Sequence, residues 1–129
     1  MDLDVDRPAL AVVAAGGVIG ALARYAIGVA WPHTPATFPW ATWSINVSGC
    51  FLIGVLYTLL ARFRPGHRLT RPFLGTGVLG GYTTFSTAEV DVQRGVPAVA
   101  VVYLAATIVG ALLAVWAGSA LASVGEKRA

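Results

Sequence analysis

Charged residues are scarce in this sequence, and cysteine is almost absent. Only 12% of the 129 residues are charged, whereas 57% are hydrophobic and the mean hydropathy is +0.73. A soluble domain of this length could not bury so much apolar surface, so the composition predicts a membrane protein. The single cysteine, Cys50, excludes an intrachain disulfide and is most simply interpreted as a small packing residue in a helix.

Signals for secretion and for catalysis are also missing. The N-terminus reads Met-Asp-Leu-Asp-Val-Asp, which is acidic where the first region of a cleavable signal peptide should be basic. No nucleophile–base pair and no His/Cys metal cluster is recognisable, so we do not expect an enzyme. His33 and His67 fall between apolar segments, where solvated side chains are the simplest interpretation.

Four segments are long enough to cross a membrane, since a spanning helix needs about 20 mostly apolar residues. They cover residues 8–30, 39–61, 72–91 and 96–122. The sequence therefore predicts an all-α membrane protein in which residues 1–129 form a single domain of four transmembrane helices. Three tryptophans near the segment ends are placed as in an aromatic belt: Trp31, Trp40 and Trp43.

The distribution of Lys and Arg predicts how the chain is oriented. With four spans, the N-terminus, the loop 62–71 and the C-terminus share one side. Seven of the nine Lys and Arg residues belong to that side, Arg94 belongs to the other, and Arg24 lies within a span. Because cytoplasmic loops carry an excess of Lys and Arg, both termini are predicted to be in the cytoplasm of a cell membrane protein. The seven residues are Arg7, Arg62, Arg64, Arg68, Arg71, Lys127 and Arg128.

The only charge within the first, second and fourth segments is positive. These segments contain no Asp, Glu or Lys, and Arg24 shares a helix face with Gly16, Gly20 and Gly28. Arg24 is shallow enough to snorkel to the interface, but a charge within a span is also a functional candidate. A cation exporter would need a carboxylate in the bundle interior, so this pattern favours a small anion.

Neutral hydrogen-bond donors accompany that charge. Asn46 lies in the second segment, and Tyr103 and Thr107 share one face of the fourth. Thr107 could instead bond back to its own helix. A buried amide needs partners in lipid, so Asn46 should face another helix or a water-filled path.

Glycine and threonine interrupt the third segment. Residues 75–87 read GTGVLGGYTTFST, and both glycine and β-branched residues weaken a helix. A break near Gly80 to Thr84 is predicted. The freed carbonyls must be buried in protein, meet water or bind an ion, and a small hard cation such as Na⁺ would suit them. A kinked helix whose groups are satisfied by its neighbours is the alternative.

Three motifs together resemble the CrcB/Fluc family of fluoride channels. They are GGVIGALARY at 16–25, INVSGCF at 45–51 and GVLGGYTTFST at 77–87. The resemblance implies antiparallel dimers of four-helix subunits with two pores, which passively release cytoplasmic fluoride and lower its toxicity. It also implies a structural Na⁺ at the dimer centre, held by the backbone carbonyls of Gly80 and Thr83 of both subunits.

The resemblance further implies roles for individual side chains. Phe85 matches the first of two phenylalanines that line the pores, and Asp91 matches an acidic residue beyond them. Ser86 and Thr87 can restart the helix and donate hydrogen bonds along the anion pathway. The remaining pathway residues implied by the match are Arg24, Asn46, Tyr103 and Thr107.

The chain departs from the family pattern in two respects. Ala88 stands where the second phenylalanine falls, and Ala111 replaces a serine one turn below Thr107. The strong Lys/Arg bias also differs from the weak bias expected of a subunit that inserts in both orientations. Both departures suggest a homologous partner of opposite orientation that supplies the missing aromatic. A non-conducting partner subunit and a small proton-coupled cation exporter are the alternatives.

Overall fold

The computed structural model describes residues 5–63 and 68–125, and its regular elements there are all helical. The acidic start at residues 1–4 and four residues interpreted above, Arg64, His67, Lys127 and Arg128, lie outside the described residues. The elements are α1 (Arg7–Ala30), α2 (Trp40–Phe63), a π-helix (Pro72–Leu79), α3 (Gly80–Tyr82), α4 (Phe85–Arg94) and α5 (Pro97–Ser123). The all-α prediction is therefore confirmed for the described part of the chain.

Among the described residues, three helices are long and apolar enough to cross a membrane: α1, α2 and α5. Each begins and ends within two residues of a predicted segment. The third predicted segment does not form one long helix, because it is divided among the π-helix, α3 and α4.

Helix α1 begins at a capped and charged N-terminus. The Asp6 carboxylate accepts a hydrogen bond from the Ala9 amide at 3.2 Å, and it also pairs with the Arg68 guanidinium. Arg68 first, and then the Ala9 amide, lower the pKa of the Asp6 carboxyl. The start of α1 is thereby tied to the residues that precede the π-helix.

Helix α1 packs against the π-helix and α3 with little side-chain material between the backbones. A Cβ at Gly20 would overlap the Val78 carbonyl oxygen and lie 2.7 Å from the Tyr82 amide nitrogen. A Cβ at Gly28, on the same face, would meet nothing within 4 Å. The glycine face predicted for α1 is therefore a close-packing surface at Gly20 and open at Gly28.

A second close pair is formed by α2 and α5. Gly54 and Gly118 let the two backbones approach, and a Cβ at Gly118 would overlap the Phe51 carbonyl. The Trp43 indole also donates to the Ala106 carbonyl at 3.1 Å. Small residues and a polar side chain thus join these helices. This is expected in a membrane, where the hydrophobic effect does not drive helices together.

The third segment changes helix type before it breaks. The Gly80 amide donates to the Gly75 carbonyl five residues earlier, which is the spacing of a π-helix. Gly80 itself keeps right-handed helical angles (φ −63°, ψ −39°), whereas Thr83 and Thr84 are extended. The break lies within the predicted interval but only at its C-terminal end. The reason is that glycines of this run, such as Gly77, allow α1 to approach, while the helix unwinds only at the threonines.

Candidate functional site

The break at Thr83–Thr84 is bridged by one side chain from α2. Asn46 Nδ2 donates to the Thr84 carbonyl at 2.9 Å, and Asn46 Oδ1 accepts from the Thr84 amide at 2.8 Å. Thr84 is buried, so both of its main-chain groups would otherwise lack partners. Of the two predicted environments for Asn46, the structure shows contact with the broken third segment, and Asn46 also lines the groove described below. One of its two amide N–H groups remains available for a further acceptor.

A neighbouring glycine and a tyrosine hold the break against α2. A Cβ at Gly49 would overlap the Thr83 methyl group, so this glycine makes room for the extended residue. The Tyr82 hydroxyl lies 2.8 Å from Ser48 Oγ, and Ser48 in turn donates to the Ile45 carbonyl at 3.1 Å. Residues of one α2 stretch, 45–49, thus fix both sides of the break.

The same contacts leave two carbonyls near the break without their helical donors. In a continuous helix, the Thr84 amide would donate to Gly80 and the Thr87 amide to Thr83. Here the Thr84 amide donates to Asn46, and the Thr87 amide donates to Thr84 Oγ1 at 3.2 Å. The Gly80 and Thr83 carbonyls therefore lack their helical donors, and carbonyl oxygens of this kind suit a hard cation. This donor set fits the predicted Na⁺ ligands.

Three elements enclose a groove of about 700 Å³, which we call the α2–α4–α5 groove. It contains four of the predicted pathway residues, namely Asn46, Phe85, Tyr103 and Thr107, together with the Thr83 of the break. Ala88 and Ala111, the two positions that depart from the family pattern, line it as well. Their side chains are small and apolar. The walls of the groove are mostly apolar, with a few polar groups.

Two hydroxyl groups in this groove make no hydrogen bond of good geometry among the described residues, although they lie close enough to interact weakly with each other. They belong to Tyr103, which is 1% exposed, and to Thr107. The predicted alternative, in which Thr107 bonds to its own helix, is therefore wrong for this structure. Since an unpaired buried hydroxyl is unfavourable, both groups are available to an acceptor that enters the groove.

Phe85 lines the same groove and is largely uncovered by the rest of the chain. It is the first residue of α4, and it is 84% exposed. Thr84 caps this helix, because its hydroxyl accepts from the Thr87 amide and donates to the Thr87 hydroxyl at 3.1 Å. The capped break therefore determines where the Phe85 ring projects.

Other predicted site residues lie elsewhere. Arg24 and Thr87 line a separate groove of about 370 Å³ between α1, α2 and α4, which also reaches Thr84. Ser86 and Gly80 are exposed and line neither groove. The broken segment thus stands between the Arg24 groove and the α2–α4–α5 groove.

A third cavity, of about 210 Å³, lies where the loop 31–39 meets α4 and α5; we call it the His33 cavity. His33 Nε2 lies 3.2 Å from Asp91 Oδ1, and the Asp91 side chain is only 10% exposed. His33 is therefore solvated only in part, because its ring also contacts Asp91. The two residues are 58 positions apart in the sequence, so no local spacing could indicate the pair.

Sequence reasoning also missed an aromatic residue of this loop. The Phe38 ring packs edge-on against Tyr103, with centroids 5.5 Å apart, and contacts Trp40 and Trp43. The only signal was its place among the tryptophans assigned to the aromatic belt. Tyr103, which Phe38 contacts, lines both the α2–α4–α5 groove and the His33 cavity.

Comparison with known proteins places this arrangement in a family. A family model described as "CrcB-like protein, Camphor Resistance (CrcB)" matches residues 11–119. The chain is 54% identical to the fluoride-specific ion channel FluC 2 of Streptomyces avermitilis over 105 residues, covering 78% of this chain and 66% of that protein. It is 51% identical to FluC 1 of Streptomyces coelicolor, covering 84% of this chain and 73% of that protein. It is 52% identical to FluC 2 of Thermobifida fusca, covering 87% of this chain and 86% of that protein. The chain belongs to the CrcB-like family, and it is a multi-pass membrane protein rather than an enzyme.

Proposed function

We propose that this chain is a subunit of a fluoride channel that passively exports cytoplasmic fluoride and lowers its toxicity. One observation carries the proposal: two buried hydroxyls without partners, Tyr103 and Thr107, line a groove beside Phe85 in a chain whose relatives are named fluoride-specific ion channels. Fluoride is small and strongly hydrated, so its pathway must replace lost water with donors. The Phe85 ring adds a positive edge, which can face an anion.

The electrostatics of the spans support an anion as the substrate. Beyond its first turn, α1 carries one charged residue, Arg24. Arg24 lines the groove between α1, α2 and α4, which Thr87 also lines. A cation exporter is disfavoured because α1, α2 and α5 contain no carboxylate. The carboxylate that lines the α2–α4–α5 groove, Glu89, is exposed and accepts from Gln93 at 3.2 Å.

The proposed assembly is an antiparallel dimer in which the broken third segment completes a fourth span. In it, the Gly80 and Thr83 carbonyls of both subunits hold a structural Na⁺ at the dimer centre. The diversion of their helical donors to Asn46 and Thr84 supports this role. A bound Na⁺ would add positive potential beside the anion pathway.

The partner is proposed to be a homologous chain of opposite orientation, with the termini of this chain in the cytoplasm. Ala88 leaves the α2–α4–α5 groove open, and the exposed Phe85 ring lacks cover within this chain. An aromatic side chain from a partner could occupy that space. Streptomyces avermitilis holds relatives named FluC 2 and FluC 3, so homologous pairs exist in one organism.

Fluoride efflux from proteoliposomes tests the proposal. The purified chain is reconstituted alone and together with a homologue that has the opposite Lys/Arg bias, and a fluoride electrode follows efflux with chloride as the comparison anion. We expect fluoride-selective efflux that needs the partner. Full efflux from the chain alone would disprove the heterodimer, and cation flux without fluoride flux would disprove the channel. If all efflux passes through a pore lined by the homologue, the second candidate is favoured, namely that this chain is a non-conducting partner subunit. Ala88 also suggests that candidate.

A further inference from the structure

The His33 cavity holds a charged group that the proposed pathway does not use. Asp91 Oδ2 is buried and has no hydrogen-bond partner among the described residues, while Asp91 Oδ1 faces His33. A buried carboxylate oxygen without a donor is unfavourable, and a positive charge beside it offsets that cost. His33 is the group that can provide or withdraw that charge near neutral pH.

The loop that carries His33 is ordered by its own contacts. The Thr37 hydroxyl donates to the Thr34 carbonyl at 2.9 Å and accepts from the Thr34 amide at 3.1 Å. The Val96 amide donates to the Pro35 carbonyl at 3.3 Å, which ties the loop to the turn between α4 and α5. His33 is thereby held at Asp91, and its side chain remains 27% exposed, so protons from solvent can reach it.

The cavity adjoins the groove through Tyr103, which lines both. Besides His33, the ionisable residues that line the cavity are Asp91 and Arg94 from α4 and Tyr103 from α5. With His33 neutral, the charges of Asp91 and Arg94 offset each other. With His33 protonated, the cavity carries one net positive charge at the end of the groove. A change of this size alters the local concentration of an anion on the order of tenfold.

We propose that the His33–Asp91 pair is a proton-controlled gate at one mouth of the anion pathway: with His33 protonated, the cavity carries a net positive charge that attracts fluoride, and with His33 neutral, that charge is absent. The inference rests on the proposed fluoride channel. Fluoride flux is therefore high at acidic pH, where His33 is protonated, and low at alkaline pH, where it is neutral.

The test measures fluoride efflux from proteoliposomes of this chain with its partner, at equal pH on both sides, at about pH 5.5 and about pH 8. Protein-free liposomes correct for leakage of hydrofluoric acid. We expect the unmodified chain to conduct on the order of tenfold faster at the lower pH. His33→Gln, which is neutral at both pH values, should conduct slowly at both, and His33→Arg, which is charged at both, should conduct fast at both. His67→Gln removes the only other histidine of the chain and should keep the full pH response.

Each outcome decides the inference. Flux that is independent of pH in the unmodified chain, a pH response that survives His33→Gln, or one that disappears in His67→Gln would overturn the gate while leaving the channel intact. Absence of fluoride flux from every variant would overturn the proposed function and the gate with it. Fluoride efflux should be slow in His33→Gln and fast in His33→Arg if the pair is a gate. If His33 merely holds the loop, loss of that contact would lower the efflux of both variants.

Discussion

Asn46 pairs with both main-chain polar groups of Thr84, donating to the carbonyl at 2.9 Å and accepting from the amide at 2.8 Å. A carboxamide has a donor and an acceptor on neighbouring atoms, so it can take the place of the helical partners that Thr84 has lost. The contact joins α2 to the break, and the break sets the start of α4 and the position of Phe85. Asn46 therefore determines the shape of the groove. Because it accepts from the Thr84 amide, it also leaves the Gly80 carbonyl without its helical donor.

Replacement of Asn46 by leucine should destabilise the protein and stop conduction. It would leave the buried amide and carbonyl of Thr84 without partners, at a cost of about 1–3 kcal/mol for each group. The measurement is the unfolding midpoint in detergent, together with fluoride efflux. Ser48→Ala, on the same helix, is the matched control, because Ser48 contacts Tyr82 but not Thr84. Equal midpoints for the two variants would contradict a structural role for Asn46.

Tyr103→Phe and Thr107→Val should separate function from stability. Their hydroxyls make no hydrogen bond of good geometry among the described residues, so removing them should leave the unfolding midpoint nearly unchanged or raised. If fluoride accepts from these groups, efflux should fall, by on the order of tenfold for each lost donor. Unchanged efflux in both variants would show that the hydroxyls do not contact the anion.

Much of the fold could be predicted because the spans carry strong local signals. Long apolar runs predicted the bounds of α1, α2 and α5 to within two residues, and the run of glycine and threonine predicted the position of the break. The polar residues of α2 and α5 that line the groove could also be singled out, since intramembrane polar groups are few and each needs a partner. Their shared groove with Phe85 follows from packing that these signals constrain only in part.

The remaining features depend on contacts between distant parts of the chain. Gly75 and Gly80 indicated a weak helix, but whether it unwinds or becomes a π-helix depends on how closely α1 approaches. The pairing of His33 with Asp91 depends on how the loop 31–39 folds over α4. Neither is encoded in a periodicity or a spacing, so the sequence alone could not reveal them.

Gly20→Ala should disrupt the pairing of α1 with the third segment. The added Cβ would overlap the Val78 carbonyl, and a rigid backbone cannot move away as a side chain could. Overpacking of this kind costs about 1–3 kcal/mol, so the unfolding midpoint should fall. Gly28→Ala is the matched control on the same face, where the new methyl group meets nothing within 4 Å. It should be neutral or slightly stabilising, because alanine favours the helix. A larger loss for Gly28→Ala than for Gly20→Ala would contradict the described packing.

The Asp6–Arg68 pair should contribute a small stability that depends on pH and salt. The Asp6 carboxyl has a lowered pKa in the folded protein, so it stabilises the fold above the pKa of the unfolded chain, about 3.9. That contribution is lost as the pH falls through the folded value. Asp6→Asn keeps a good helix cap but removes the charge, so it should abolish this acid dependence and reduce the effect of salt. Unfolding midpoints between neutral and acidic pH, at low and high salt, test this, and an unchanged acid response in Asp6→Asn would contradict it.

The Ala88→Phe variant tests whether the open groove limits conduction by this chain or is the space for a partner's side chain. Ala88 lies one helical turn after Phe85 and lines the α2–α4–α5 groove with Tyr103 and Thr107. A second ring there would add another positive edge beside the unpartnered hydroxyls, so we expect the variant to conduct more fluoride than the unmodified chain when each is reconstituted with the partner. Ala88→Leu has similar bulk without a ring edge and should not gain flux. If Ala88→Phe dimerises normally and gains no conduction, the missing ring is not what limits this pore. If it instead loses assembly with the partner, the groove is filled in the native complex by the partner's aromatic side chain.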